Sequence, residues 1–212
     1  MEQRQLSFTD RCLTELDSAL RTLLARPRAA RPAPAGSGPD KLDDIGRDLS
    51  RRLMRVNHAG EIAAQALYRG QALVARDEQL RTRLLRAADE EHDHLAWCRQ
   101  RAEALGGGVS KLAPLWYAGS FAIGIAAGLA GDKTSLGFLA ETEKQVAAHL
   151  DGHLQRLPAE DSQSRSILLQ MRNDEVRHGE SAIRHGGGPL PQPVRTLMRR
   201  VSSLMTGISY RV

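Results

Sequence analysis

The sequence predicts an all-α protein built as a bundle of long helices, and three observations predict it. Almost nothing in the 212 residues alternates apolar and polar side chains at the two-residue period of a strand. Apolar residues recur instead at three- and four-residue steps, the period of a helix with one buried face. The breaks between these segments carry strong stop signals: Gly106-Gly107-Gly108, Gly131-Asp132, Pro158 and Gly186-Gly187-Gly188-Pro189.

Taken in order, the segments are as follows. Leu13, Leu16, Leu20, Leu23 and Leu24 place a short amphipathic helix at about 9–25, within an N-terminal element of residues 1–25. The following RPRAARPAPAGSGPD is rich in Pro, Ala, Gly and Arg and has no apolar period, so residues 26–43 read as a flexible linker. The main domain spans 44–212. Its helical pattern runs through about 44–76, 78–105, 114–130, 134–157, 160–185 and 191–208.

Two of these helices are unusual. Leu112 to Gly131 is 20 residues without a charge and holds Trp116, Tyr117 and Phe121. Twenty apolar residues just reach across a bilayer core, yet a proline at the start and Gly119, Gly124, Gly128 and Gly131 suit a buried bundle helix equally well. Both readings stay open, and Gly124 with Gly128 allows close helix contact in either. In the last helix, 191–209, Val194, Leu197, Met198, Val201, Leu204, Met205 and Ile208 form one stripe, and Arg195, Arg199, Arg200 and Arg211 are the only charges after Pro193. An acid-free basic amphipathic helix fits a membrane surface, or caps the bundle with a solvated basic face.

Composition narrows the function classes. Apolar residues at 41% and charged residues at 26% give a real core and exclude a disordered chain. Cys12 and Cys98 are the only cysteines, which excludes a disulfide scaffold and a cysteine-built zinc or iron–sulfur site. The net charge of +5 admits an anionic partner, but eight aromatic residues are few for a base-stacking platform, so no nucleic acid is expected. Glu2, Asp10, Glu15 and Asp17, with no apolar core among them, fit neither a secretory signal nor an acid-poor transit peptide.

The chemistry lies in two short runs, Glu91-His92-Asp93-His94 and Glu175-Val176-Arg177-His178. Each contains Glu-x-x-His, which sets the two side chains about 60° apart on one helix face. Helical phase supplies the environment. With Glu91 at zero, Leu80, Leu84, Ala87, Leu95, Cys98, Ala102 and Leu105 all fall within about 40°. The same count from Glu175 gathers Leu168, Met171, Gly179 and Ala182, and from Glu61 it gathers Met54, Tyr68, Ala72 and Ala75. Carboxylates at the centre of buried stripes are costly unless paired, protonated or bound to metal. The pattern also repeats: Glu61 precedes Glu91 by 30 positions and Glu143 precedes Glu175 by 32. Glu143 rather than Glu141 lies within the apolar stripe of its helix, with Leu136, Leu139, Ala147, Leu150, Leu154 and Leu157 within about 40°. One Glu from each of two helices and Glu-x-x-His from each of two others is the ligand set of ferritin-like di-metal bundles. Glu61, Glu91, His94, Glu143, Glu175 and His178 are therefore the expected ligands. Four carboxylates neutralise two divalent cations and suit iron or manganese better than zinc. The 112–131 helix becomes the crossover between two antiparallel pairs. Asp174 is placed to accept a hydrogen bond from a ligand imidazole. His58, three residues before Glu61 on the same face, is either functional or a core histidine.

With these residues in view, the chain resembles the demethoxyubiquinone hydroxylase family of ubiquinone biosynthesis. The carrying stretches are LMRVNHAGE (53–61), DEEHDHL (89–95), PLW (114–116), ETEKQVAAH (141–149) and DEVRH (174–178), within a match over about residues 47–212. Asn-His-Ala-Gly-Glu is specific to the family, whereas Asp-Glu-x-Arg-His is shared with many di-iron oxidases. The resemblance implies the same six ligands, two iron ions per chain, and His149 near the quinone site; Leu150 stands where some relatives have a tyrosine. It implies an O2-dependent hydroxylation of the ring of a polyprenyl methoxy-methyl-benzoquinol, with NADH or a reductase as electron donor. A polyprenyl substrate implies peripheral attachment to the cytoplasmic face of a bacterial inner membrane, with Trp116, Tyr117 and Phe121 as membrane contacts. A homo-oligomer or a ubiquinone-biosynthesis complex is compatible with it. The rival readings are a ferritin-like tRNA hydroxylase and an iron-oxidising or storage bundle.

Overall fold

A computed structural model describes residues 7–38 and 41–212, and these form helices without any strand. The helices are α1 (Phe8–Leu24), α2 (Asp44–Val74), α3 (Glu78–Ala104), α4 (Ala113–Leu129), α5 (Asp132–Arg156), α6 (Ser162–Arg184) and α7 (Gln192–Ser209). All start and stop within a few residues of where the apolar period places them. Residues 1–6 of the expected N-terminal element and Pro39-Asp40 of the expected linker lie outside the described residues.

Local chemistry fixes the helix ends. Asp43 and Asp77 accept from Gly46 N and Gln79 N, and Asp161 accepts from Ser164 N, each satisfying a backbone donor in the first turn. Gly131 adopts a φ of 104° between α4 and α5, a left-handed turn that disfavours any side chain.

The short connections 75–77 and 157–161 make α2/α3 and α5/α6 two antiparallel hairpins, which dock on each other as a four-helix bundle. Beside a cluster of Ile62, Ala66, Leu95 and Tyr117 under α4, the bundle has two apolar clusters within it. One holds Leu53, Met54, Trp97, Cys98, Leu150, Leu168 and Met171. The other holds Tyr68, Leu80, Leu84, Leu136, Leu139 and Ala182. Each fully buried large apolar side chain contributes about 1.5–3 kcal/mol. On every bundle helix the residues between the two clusters include the predicted ligands, so the site is a polar layer inside the core.

α4 is the crossover, its 17 residues running back along α2. A face of small residues brings the two backbones together. A Cβ on Gly124 would lie 2.1 Å from the Leu67 carbonyl oxygen, and one on Gly70 would lie 2.3 Å from that of Phe121. α4 therefore packs on protein along one face while Leu115, Ile123 and Leu129 are exposed on the other. No described helix is long and apolar enough to cross a membrane. α7 lies against α2 and α5, its end held by Arg55 donating to the Ser209 and Tyr210 carbonyls.

The stretch expected as a flexible linker makes specific contacts. Ala30 N donates to Asp93 over 2.6 Å, Trp97 Nε1 donates to the Arg31 carbonyl over 3.1 Å, and Gln163 bonds Gly36 N and the Pro34 carbonyl at 2.7 Å each. A proline-rich segment binds here through backbone groups, Arg26 to Glu103, Arg31, and the small side chains of Ala29 and Ala33, which leaves no apolar period to read.

Candidate metal centre

Each of the six predicted ligand side chains sits where its helical phase puts it, and together they fill the polar layer. α2 supplies Glu61, α3 Glu91 and His94, α5 Glu143, and α6 Glu175 and His178. Five of them are fully or almost fully buried, and the His178 side chain is 12% exposed.

Their atoms form two overlapping groups. Glu61, Glu91, His94 and Glu175 offer donor atoms all within 4.8 Å of one another, and so do Glu91, Glu143, Glu175 and His178. Glu91 and Glu175 belong to both. His94 Nδ1 lies 2.8, 3.3 and 3.6 Å from oxygens of Glu91, Glu175 and Glu61. His178 Nδ1 lies 3.4, 3.6 and 3.7 Å from Glu91, Glu143 and Glu175. Both imidazoles thus turn Nδ1 inward.

The outward nitrogens are held across the hairpins. His94 Nε2 donates to Asp174 on α6 over 3.0 Å, and His178 Nε2 donates to Glu90 on α3 over 2.7 Å. With the proton on Nε2, each Nδ1 keeps a lone pair for a cation. Asp174 was expected in this role. Glu90 was not: its phase lies off the apolar stripe and its partner is on another helix. Sequence reasoning also missed Tyr68, whose phenol donates to Glu143 Oε1 over 2.6 Å; by pattern it is only a core aromatic. Asp93 and Arg31 were missed as well. The Asp-Glu dipeptide at 174–175, mirrored by Glu90-Glu91, is the signal that would have found Glu90.

Electrostatics marks the layer as built for positive charge. Burial raises Glu61 and Glu143 well above the usual carboxylate range, reinforced by the neighbouring carboxylates. Burial pushes Glu91 the same way, but His94 and His178 outweigh it and hold Glu91 low. The surrounding carboxylates overcome burial at both histidines and raise them. Glu91 Oε1, Glu143 Oε2, Glu175 Oε1 and His178 Nδ1 are buried with no hydrogen-bond partner among the described residues. Four orphaned donor atoms converging in a dry core fit a metal ion.

The remaining predicted residues lie elsewhere. His58 is buried outside both groups, its Nδ1 without a hydrogen-bond partner among the described residues, and burial lowers it to about 3. His149 packs against His153 at 3.9 Å between ring centroids, the rings tilted by 58°, and His153 contacts Asn57 Oδ1 at 2.8 Å. They line a polar recess with Arg156, Tyr210 and Arg211. Tyr117, expected at lipid, is 5% exposed and packs with Ile62, Ala66 and Leu95, and with Leu23 of α1. Phe121 stacks on it at 6.2 Å, and both Phe121 and Trp116 are half-buried. The reason is that α4 is apolar all round, so its sequence has no phase that tells inside from outside.

An apolar cavity of about 250 Å³ lies between α2, α4, α5 and α7. Gly60 and Ala64 line it beside Glu61, Thr142 and Val146 beside Glu143, and Ile123 and Met198 close its outer side.

The sequence matches the family described as Ubiquinone biosynthesis protein COQ7 over residues 48–209. It is 54% identical over 204 residues to the 3-demethoxyubiquinol 3-hydroxylase of Azoarcus sp. (strain BH72), covering 96% of this chain and 99% of that one. It is 55% identical over 207 residues to the protein of the same name from Variovorax paradoxus (strain S110), covering 97% and 99%. The corresponding Dechloromonas aromatica (strain RCB) protein is 54% identical over 203 residues, covering 95% and 98%.

Proposed function

The chain belongs to the COQ7 family of ubiquinone biosynthesis proteins, and from that premise we propose that its Glu/His layer holds two iron ions and hydroxylates the ring of a polyprenyl methoxy-methyl-benzoquinol with O2. Its activity is that of a hydroxylase in ubiquinone biosynthesis. The observation that carries the two-metal reading is the pair of donor groups sharing Glu91 and Glu175, with their unpartnered atoms turned to one centre.

Glu61 and His94 would help hold one ion, Glu143 and His178 the other, and Glu91 and Glu175 stand in both groups. Iron there would supply the electrons and open coordination positions that O2 chemistry needs. Asp174 and Glu90 keep the two imidazoles in one tautomer and orientation, and Tyr68 fixes the Glu143 carboxylate. The cavity beside Glu61 and Glu143 receives the quinol ring, and its apolar walls exclude water and orient the ring.

The polyprenyl tail leaves the cavity between α4 and α7. Leu115, Ile123 and Leu129 on α4 and Leu197, Val201 and Leu204 on α7 are exposed on this side, with the α7 arginines alongside. This supports peripheral docking on an anionic membrane, at the cytoplasmic face of a bacterial inner membrane. Neither rival suits such a cavity: a tRNA needs a polar approach, and an iron store has no use for one lined by Ile123, Phe138, Val146 and Met198.

The test is iron content and turnover together. The purified chain should bind about two irons and hydroxylate a short-tailed demethoxyubiquinol. Glu91→Ala, which removes a donor common to both groups, should abolish both. A Glu91→Ala protein that keeps its full iron content would sink the assignment.

A further inference from the structure

The two halves of the layer are alike in their inward donors and unlike in what stands behind them. Behind His94 is a closed, charge-assisted network. Asp174 Oδ2 accepts from His94 Nε2 and from Arg31 Nη1, both at 3.0 Å. Gln170 and Arg177 donate to its other oxygen. Arg31 Nε donates to Asp93 over 2.7 Å, and the same carboxylate takes Ala30 N. The guanidinium lies 5.0 Å over the Trp97 ring, whose Nε1 holds the Arg31 carbonyl, and Trp97 in turn packs on His94 at 5.4 Å. Asp174 is fully buried beneath this cover.

Behind His178 is one half-exposed carboxylate. The Glu90 side chain is 46% exposed, and among the described residues His178 is its only hydrogen-bond partner. Water competes for such a bond and screens it, whereas Asp174 is itself fully buried and held by four side chains, so it keeps its orientation although Arg31 above it is 39% exposed.

We propose that residues 26–36 are a strap that locks the His94 half of the metal centre through Arg31, so that the two half-sites keep their metal unequally. Arg31 is a positioning residue: it touches neither metal nor substrate, and it acts by fixing Asp174, which fixes His94. Lys at this position would not replace it, because only a planar guanidinium bonds Asp93 and Asp174 at once. The strap lies wholly before residue 48, where the family match begins. The proposal rests on the two-metal reading above.

The experiment loads the full chain with ferrous iron without oxygen and follows release into a ferrous chelator. The wild type should release two equivalents in two phases, the slow one from the His94 half. Arg31→Ala should speed the slow phase by tenfold or more, the range seen when an outer partner of a metal-bound imidazole is removed, and leave the fast phase unchanged. Trp97→Phe, which frees the strap carbonyl without changing charge, should shift the slow phase in the same direction. Glu90→Gln should speed only the fast phase. A structural role for Arg31 would instead move both phases together. A single phase in the wild type, or an Arg31→Ala protein in which both phases change equally or neither changes, overturns the strap. A wild type that takes up no second iron overturns the two-metal reading itself, and the strap with it.

Discussion

Glu141 and Glu143 stand two positions apart on α5, so a helix turns them about 200° from each other. Glu143 enters the polar layer and accepts from Tyr68, while Glu141 faces α7 and accepts from Arg195 over 3.1 Å and from Gln145 over 2.7 Å. Glu143→Gln should therefore strip at least one iron and stop turnover. Glu141→Gln should leave iron content and turnover nearly unchanged and cost at most about 1 kcal/mol, the worth of a part-exposed ion pair. Metal analysis and thermal melting of the two variants check this, and the reverse pattern would mean that the helix phase is half a turn wrong. The six Glu and His side chains of the layer were legible because a carboxylate at the centre of an apolar stripe is conspicuous in one dimension. Glu90 and Arg31 were not, since each acts on a partner from another element and neither interrupts an apolar stripe.

At the scale of elements, legibility follows amphipathicity. α7 has a strong apolar stripe, and the structure divides it: Val194, Leu197, Met198, Val201 and Met205 line the cavity, while Leu204 stands outside it and is exposed. α4 has no such stripe, so its length was legible and its buried face was not; Gly124 and Gly128 chose that face by letting α2 approach. The linker shows the same limit from the other side, since its order comes from hydrogen bonds that leave no periodic trace. The division of α7 separates lipid contact from cavity wall. Leu204 is 64% exposed and lines no part of the cavity, so replacing it with Glu removes little packing. The Leu204→Glu variant should keep its iron and melting temperature yet float less well than the wild type with anionic liposomes. Flotation equal to the wild type would leave the outer flank of α7 without a membrane role.

For the molecule as a whole, the polar layer is the seam between the two hairpins. Across it α2 meets α5 through Tyr68–Glu143 and Gln71–Ser135, and α3 meets α6 through His94–Asp174 and the buried Arg101–Asp161 pair. Each donor group draws on both hairpins: Glu61, Glu91 and His94 with Glu175 in one, Glu143, Glu175 and His178 with Glu91 in the other. A metal in either half is thus a cross-link between α2/α3 and α5/α6, and it replaces like-charge repulsion among buried carboxylates by attraction. Without a metal, burial and the neighbouring carboxylates raise Glu61 and Glu143, the same carboxylates raise both imidazoles, and the apolar clusters bear the burden of stability. A ligand that binds only the folded state stabilises it by about 2.7 kcal/mol at a hundredfold excess over its dissociation constant. For a domain of this size that is a rise of roughly 5–10 °C per site. Ferrous iron added to the apo protein should produce such a rise, and a chelator should reverse it. Glu175→Gln, which disables a donor shared by both groups, should abolish the rise even if the apo variant melts higher than the wild type for want of one buried charge. A melting temperature indifferent to iron in the wild type would mean that the hairpins are held without the metal.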